Sequence, residues 1–134
     1  MRAVRFDALL RNEFERRRRS NPRYSLRSFA RTLGIDHSTL SQLLRGKRRV
    51  TPAVVRALGA RLSLAPAHLD ELCARETDAL VLGALARGDF RPNARWLAIR
   101  LGISIDDINI SLQRLLRTGA MVMTARESWE VARG

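Results

Sequence analysis

The sequence predicts an all-α fold with a minor β-hairpin near its C-terminus, arranged as two small modules. Three observations carry this. Apolar residues recur at three- and four-residue spacing along nearly the whole chain, the pattern of amphipathic helices. Capping residues bracketed by paired apolar side chains mark where several of those helices begin. The segment Leu97–Ser104 repeats Phe29–Asp36 at an offset of 68 residues, so a similar corner is expected twice. With 134 residues, 46% hydrophobic, the chain suits one ordinary domain or two very small ones.

Phe6, Leu9, Leu10 and Phe14 fall at helical spacing and predict a first helix from about Arg2 to Arg19. Asn21-Pro22 stops it, because proline biases its predecessor away from helix. Ser25 caps the next helix, with Tyr24 before it and Phe29 at the fourth helical position as a hydrophobic staple. Asp36 repeats the device with Ile35 and Leu40, and Thr51-Pro52 repeats it with Val50 and Val55. Helices are therefore expected at 26–33, 37–45 and 52–62, with a turn at Gly34 and a loop at 46–50. Ala65-Pro66 opens a short helix through Leu72, and Thr77–Ala86 reads as a separate one with Leu80, Val81 and Leu85 along one side. Gly88–Pro92 is a loop, and Asn93 caps a helix to Leu101. Ser104 caps the last helix, with Ile103 and Ile108 as its staple and Asp107 at the capping-box position. That helix is expected to turn Ile105, Ile108, Leu112 and Leu115 inward and to end at Thr118-Gly119. Met121–Ala125 and Trp129–Val131 are two short strands joined as a hairpin.

Charge is distributed unevenly. The chain holds 25 basic and 13 acidic residues, and Lys47 is its only lysine. Residues 1–50 carry 14 basic against four acidic side chains, net +10, while residues 51–134 carry 11 against nine, net +2. Such asymmetry argues for a polyanionic partner met by the N-terminal part. Arginine suits that role because its planar fork grips a phosphate or a guanine edge with two hydrogen bonds. A generally basic, solvated surface is the blander explanation.

Residues 24–50 carry the strongest signal. Two helices of about two turns meet through one glycine-containing corner, with Phe29, Ala30 and Leu33 facing Ile35, Leu40 and Leu43. Ala30 is small where the helices approach, and Gly34 can take the positive φ the corner needs. Ser25-Leu-Arg-Ser-Phe-Ala-Arg-Thr-Leu-Gly-Ile-Asp-His-Ser-Thr-Leu-Ser-Gln-Leu-Leu-Arg-Gly-Lys-Arg-Arg, ending at Arg49, resembles the helix-turn-helix of the lambda-repressor/Cro-like (xenobiotic-response-element) family. The Arg-Gly-Lys after the second helix and the Pro-led helix that follows belong to the resemblance, which spans roughly residues 3–72. One departure is Ser63, which stands where that family has glycine; Gly59 lies one turn earlier.

The resemblance implies a five-helix helix-turn-helix domain over 1–74 and makes 37–45 the recognition helix, lying in a major groove. His37, Ser38, Ser41 and Gln42 are then the candidate base readers, Gln42 through two hydrogen bonds to adenine. Arg45, Lys47, Arg48 and Arg49 are candidate phosphate contacts that set register, and Ser25 and Arg27 form a second phosphate site at a helix N-terminus. Asp36 is assigned to its cap, because a carboxylate close to phosphate needs compensation. For Ser38 and Ser41 a solvated helix face remains the alternative. Arg16-Arg17-Arg18-Arg19 complement a helix C-terminus, which suffices to explain them; a DNA-flanking or interface role stays open.

Residues 75–134, three helices followed by a hairpin, resemble a winged-helix domain. Its second helix opens with Asp106 and Asp107, which stabilise N-terminal amides but would repel phosphate. It also exposes Ile110 beside Asn109 and Gln113, which suits a partner surface better than a groove. Dimerisation or regulation is the expected role of this module, and Arg126 at the wing tip is the counter-argument. Trp96 and Trp129 are expected to pack in its core.

Catalysis finds no support in the sequence. It has no Gly-rich phosphate loop, no plausible nucleophile pair, and no metal-ligand spacing among His37, His68 and Cys73. Cys73 reads as a small core residue. No apolar run approaches the ~20 residues that span a bilayer, and no secretory pattern follows Met1. The expectation is a cytoplasmic, nucleoid-associated transcriptional regulator of double-stranded DNA, a repressor acting as a homodimer without cofactor and with an unknown effector. The alternative is a protein-binding antitoxin or adaptor module on the same fold.

Overall fold

A computed structural model describes residues 5–87, 91–125 and 128–132. Among these residues are seven helices and one two-stranded sheet: α1 (Phe6–Ser20), α2 (Leu26–Leu33), α3 (His37–Leu44), α4 (Pro52–Arg61), α5 (Pro66–Leu85), α6 (Ala94–Leu101), α7 (Ile105–Thr118), β1 (Met121–Ala125) and β2 (Ser128–Val131). The chain divides into two compact units, Met1–Cys73 and Ala74–Gly134.

The expected caps form. Ser25, Asp36, Thr51 and Ser104 each accept a hydrogen bond from the backbone N–H three residues on, at 3.1, 2.8, 3.3 and 3.1 Å. Asn93 accepts two, from the N–H groups of Arg95 and Trp96. Each bond satisfies an amide that a helix start leaves orphaned. Only the first half of the Ser104–Asp107 capping box is made among the described residues. Pro52 occupies the first position of α4, where its missing N–H costs nothing.

In the first unit α1, α2, α3, α4 and the start of α5 surround one core of Phe6, Leu10, Phe29, Ala30, Leu33, Leu40, Leu43, Val55, Leu58 and Leu72, all buried. Phe14, Tyr24 and Phe29 pack as an aromatic group, with Phe14 and Phe29 stacked at 5.5 Å between centroids. Gly59 admits Leu69 so closely that an added Cβ would lie 2.1 Å from a Leu69 methyl. Cys73 is buried in this core, its thiol donating to the Pro52 carbonyl at 3.6 Å.

The second unit packs the rest of α5 with α6, α7 and the hairpin around Val81, Ala84, Leu97, Leu101, Ile108, Leu112, Leu115 and Met121. Trp96 and Trp129 lie half-buried against this core. The strands pair antiparallel, Met121 with Val131 and Met123 with Trp129, and the register shifts between Met123 and Ala125.

Several boundaries differ from expectation. Arg5 is extended, so α1 begins at Phe6 in the described residues; the expected start at Arg2 lies outside them. α3 and α4 end one residue early, with Arg45 and Leu62 as their caps. The helices expected at 66–72 and 77–86 are one continuous helix of 20 residues. Nothing between them breaks a helix: Cys73-Ala-Arg-Glu contains no Gly, Pro or competing cap. Ile105 points outward, 43% exposed, and Ser111 takes the inward position instead, fully buried. The reason is a partner outside α7: Asp78 accepts from the Ser111 hydroxyl at 2.6 Å and from Arg114 at 2.8 and 2.6 Å. Asp78 holds the Arg114 guanidinium firmly in its charged form, raising its already high pKa. Gly88–Phe90 of the expected loop, and Arg126 at the wing tip, fall outside the described residues.

Candidate nucleic-acid interface

The corner between α2 and α3 positions the site. Gly34 sits at φ 73°, the left-handed conformation, and its N–H and that of Ile35 close the end of α2 onto the Ala30 carbonyl. Phe29, Ala30 and Leu33 then meet Leu40 and Leu43 below the corner, which leaves the other face of α3 to solvent. On that face His37, Ser38 and Gln42 are exposed and Ser41 is half-buried. Arg11 of α1 donates to the Leu44 carbonyl at 2.9 Å, fixing the far end of α3 and satisfying one of its unpaired acceptors.

The four expected base readers thus share one helix face. His37 and Ser38 make no side-chain hydrogen bond among the described residues, so both are available to a ligand. Ser41 and Gln42 are engaged: the Arg45 guanidinium donates to Ser41 Oγ at 2.9 Å, and Arg48 reaches Gln42 Oε1 at 3.5 Å. These exposed, long-armed contacts are weak and exchange readily for a base or phosphate.

Cations follow α3 in the chain, and two of them, Arg45 and Arg48, reach its outer side chains. Gly46, at φ 70°, turns the chain after α3, with the Lys47 N–H bonded to the Gln42 carbonyl at 2.9 Å. Lys47, Arg48 and Arg49 follow as an exposed run that ends at the buried anchor Val50, 8% exposed. Ser25 and Arg27 lie exposed at the start of α2, whose first amides are one source of positive potential. Asp36 is fully engaged as a cap, its two oxygens taken by the Thr39 hydroxyl and N–H. The Thr39 hydroxyl, then the Thr39 amide, hold the Asp36 carboxyl below the usual range, with Arg48 adding attraction.

The arginine run divides by role. Arg16 and Arg17 both bind Glu13, and the hydrogen bond from Arg16 leads in holding that carboxyl below its ordinary value. Arg17 is only partly solvated: it lies over the rings of Tyr24 and Phe29 and reaches the Tyr24 hydroxyl at 3.4 Å. Arg18 lies over Phe14 and, with Arg23 and Arg45, edges an open groove of about 550 Å³ whose apolar lining includes Phe14, Tyr24, Leu26 and Leu44. Ser25 and Ser41 line the same groove. Arg18 and Arg23 therefore adjoin the candidate interface, although sequence reasoning left one open and passed over the other. The available signal was the four-residue step from Phe14 to Arg18, which puts both on one side of α1.

Among the described residues no group of three or more His, Cys, Asp or Glu is placed to hold a metal, and no helix is long and apolar enough to cross a membrane. No curated protein and no solved structure matches the chain. Residues 15–72, from the second half of α1 into α5, match the family described as "Helix-turn-helix domain", so a helix-turn-helix domain occupies the first unit.

Proposed function

We propose that the chain is a sequence-specific, double-stranded DNA-binding transcriptional regulator that acts as a repressor and binds as a dimer. One observation carries this reading: α3 leaves His37, Ser38 and Gln42 exposed with Ser41 half-buried beside them, and Arg45 and Arg48 reach Ser41 and Gln42. The side chains can read base edges, while Lys47, Arg48, Arg49, Arg27 and Arg45 meet phosphates. The helix-turn-helix match over residues 15–72 supports the same partner. Repression asks least of the protein, because occupying a promoter is enough to exclude competing proteins. A single helix-turn-helix touches few base pairs, so specificity favours two copies on half-sites about 34 Å apart. We read residues 75–134 as a winged-helix-like domain serving that assembly. Its boundary with 1–74 falls inside α5, so full-length variants are better probes than fragments.

A second reading, an antitoxin or adaptor that binds another protein, draws support from a different observation. The exposed large apolar side chains among the described residues all belong to the second unit. The test is a gel shift and footprint with the purified protein on the DNA upstream of its own gene. A protected site at nanomolar protein and moderate salt, absent on random duplex of equal length, is expected. Equal binding to both duplexes overturns the sequence-specific reading, and no binding to either favours the adaptor.

A further inference from the structure

We propose that the outward face of α7 binds the same face of a second copy, antiparallel, about a two-fold axis that passes between positions 111 and 112. This rests on the dimeric reading above and gives it a surface. At the 68-residue offset that superposes the two sequence corners, His37, Ser38 and Gln42 of α3 correspond to Ile105, Asp106 and Ile110 of α7. The positions that offer DNA a polar, cation-flanked face in the first unit offer isoleucine and carboxylate in the second. A phosphate backbone repels that face; a protein surface does not.

The order of residues along α7 selects the partner and the orientation. Asp106, Ile110, Gln113 and Arg117 are spaced four, three and four apart and so form one stripe along the helix. All four are exposed, and Ile110 is 55% exposed. The stripe carries its negative charge at the N-terminal end and its positive charge at the C-terminal end. Placed antiparallel on itself, it sets Asp106 against Arg117 of the second copy, twice, and brings the two Ile110 side chains together near the axis beside Gln113. Placed parallel, it sets like charge against like. Self-complementarity about a two-fold axis is what a closed dimer requires, and charge pairing of this kind fixes register and rejects the alternative. Asp106, Ile110, Gln113 and Arg117 make no side-chain hydrogen bond among the described residues, whereas the neighbouring Arg114 is held by Asp78 at 2.8 and 2.6 Å and takes no part.

The experiment is sedimentation velocity on full-length protein over a concentration series, with circular dichroism as the folding control. Asp106→Arg and Arg117→Asp each place two like-charge pairs in the interface and should weaken dimerisation more than about tenfold. The double variant Asp106→Arg/Arg117→Asp restores opposite charges and should dimerise as the parent does. Ile110→Lys, which needs no charge partner, should also give monomer. A dimeric parent whose single variants remain dimeric overturns the proposed face while leaving the dimeric reading intact. A double variant as weak as the singles overturns the pairing. A parent that is monomeric alone and on its DNA site overturns the dimeric reading itself. Single variants that lose DNA binding with dimerisation unchanged would assign α7 to DNA instead.

Discussion

The two corners of this molecule are built alike and finished differently. In the first, Gly34 at φ 73° turns the chain and the Ile35 N–H bonds to the Ala30 carbonyl at 3.1 Å; in the second, Gly102 at φ 68° does the same and the Ile103 N–H bonds to the Ala98 carbonyl at 3.1 Å. Asp36 and Ser104 then cap the following helices in the same way. What differs is everything the corner does not need. α3 is eight residues long, polar outside, and runs into Gly46-Lys-Arg-Arg; α7 is 14 residues long, opens on Asp106 and Asp107, and exposes Ile105, Ile110 and Leu116. The inward half of each corner fixes geometry, and the outward half carries the chemistry. The proposed reading gives the first corner DNA and the second another copy of the chain.

The largest effect should come from the cores beneath the corners. Phe29 and Leu97 hold matching positions and are both fully buried. Phe29→Ala should cost about 3–5 kcal/mol and Leu97→Ala about 2–5 kcal/mol in urea unfolding, from lost burial and the cavities left behind. Phe29 should be the costlier, because it also forfeits its ring contacts with Phe14 at 5.5 Å and Tyr24 at 6.3 Å. If Leu97→Ala proves the more damaging, the first corner does not rest on its aromatic group.

A smaller effect separates the outward faces. Gln42→Ala should weaken binding to the protected site by about 1–3 kcal/mol and barely change binding to random duplex. Lys47→Ala should weaken both about equally and flatten the log–log salt dependence by roughly one unit. Ile110→Ala, at the position matching Gln42, should leave the affinity for random duplex unchanged. Equal losses on both duplexes for Gln42→Ala would move that residue from base reading to phosphate contact. A loss of affinity for both duplexes on Ile110→Ala, with dimerisation unchanged by sedimentation, would bring α7 onto the DNA.

These contrasts were legible to different degrees in the residues themselves. The caps at Ser25, Asp36, Thr51, Asn93 and Ser104 could be read because a cap depends on side chains within a few positions of one another. The exposed face of α3 followed from periodicity for the same reason. The continuity of α5 was missed because the apolar pattern pauses between Leu72 and Thr77, and a pause in periodicity is not a break in backbone hydrogen bonding. The inward place of Ser111 is invisible locally because its partner Asp78 lies 33 residues away, and no local rule connects them. Likewise the engagement of Gln42 by Arg48 and of Arg17 by Tyr24 depends on where long side chains lie in the folded chain.

The smallest effects lie in the helix ends themselves. Gly34→Ala and Gly102→Ala each force a side chain into left-handed backbone, a cost of about 1–2 kcal/mol. The first should cost slightly more, since its new Cβ would lie 3.2 Å from the Arg61 guanidinium, whereas nothing lies within 4 Å of the second. The complementary case is Ser63, the residue that stands where the Cro-like resemblance has glycine. It adopts φ 59°, the only positive φ among the described non-glycine residues, and the Leu64 N–H returns to the Gly59 carbonyl at 3.1 Å. The backbone there thus keeps a glycine conformation without a glycine. Ser63→Gly should relieve the strain but widen the unfolded ensemble, and these oppose each other. The net expectation is a gain of about 0.5–1 kcal/mol, read as a higher urea midpoint with an unchanged slope. A loss of stability would mean that the unfolded-state entropy outweighs the strain, and that Ser63 sits in left-handed backbone at little cost.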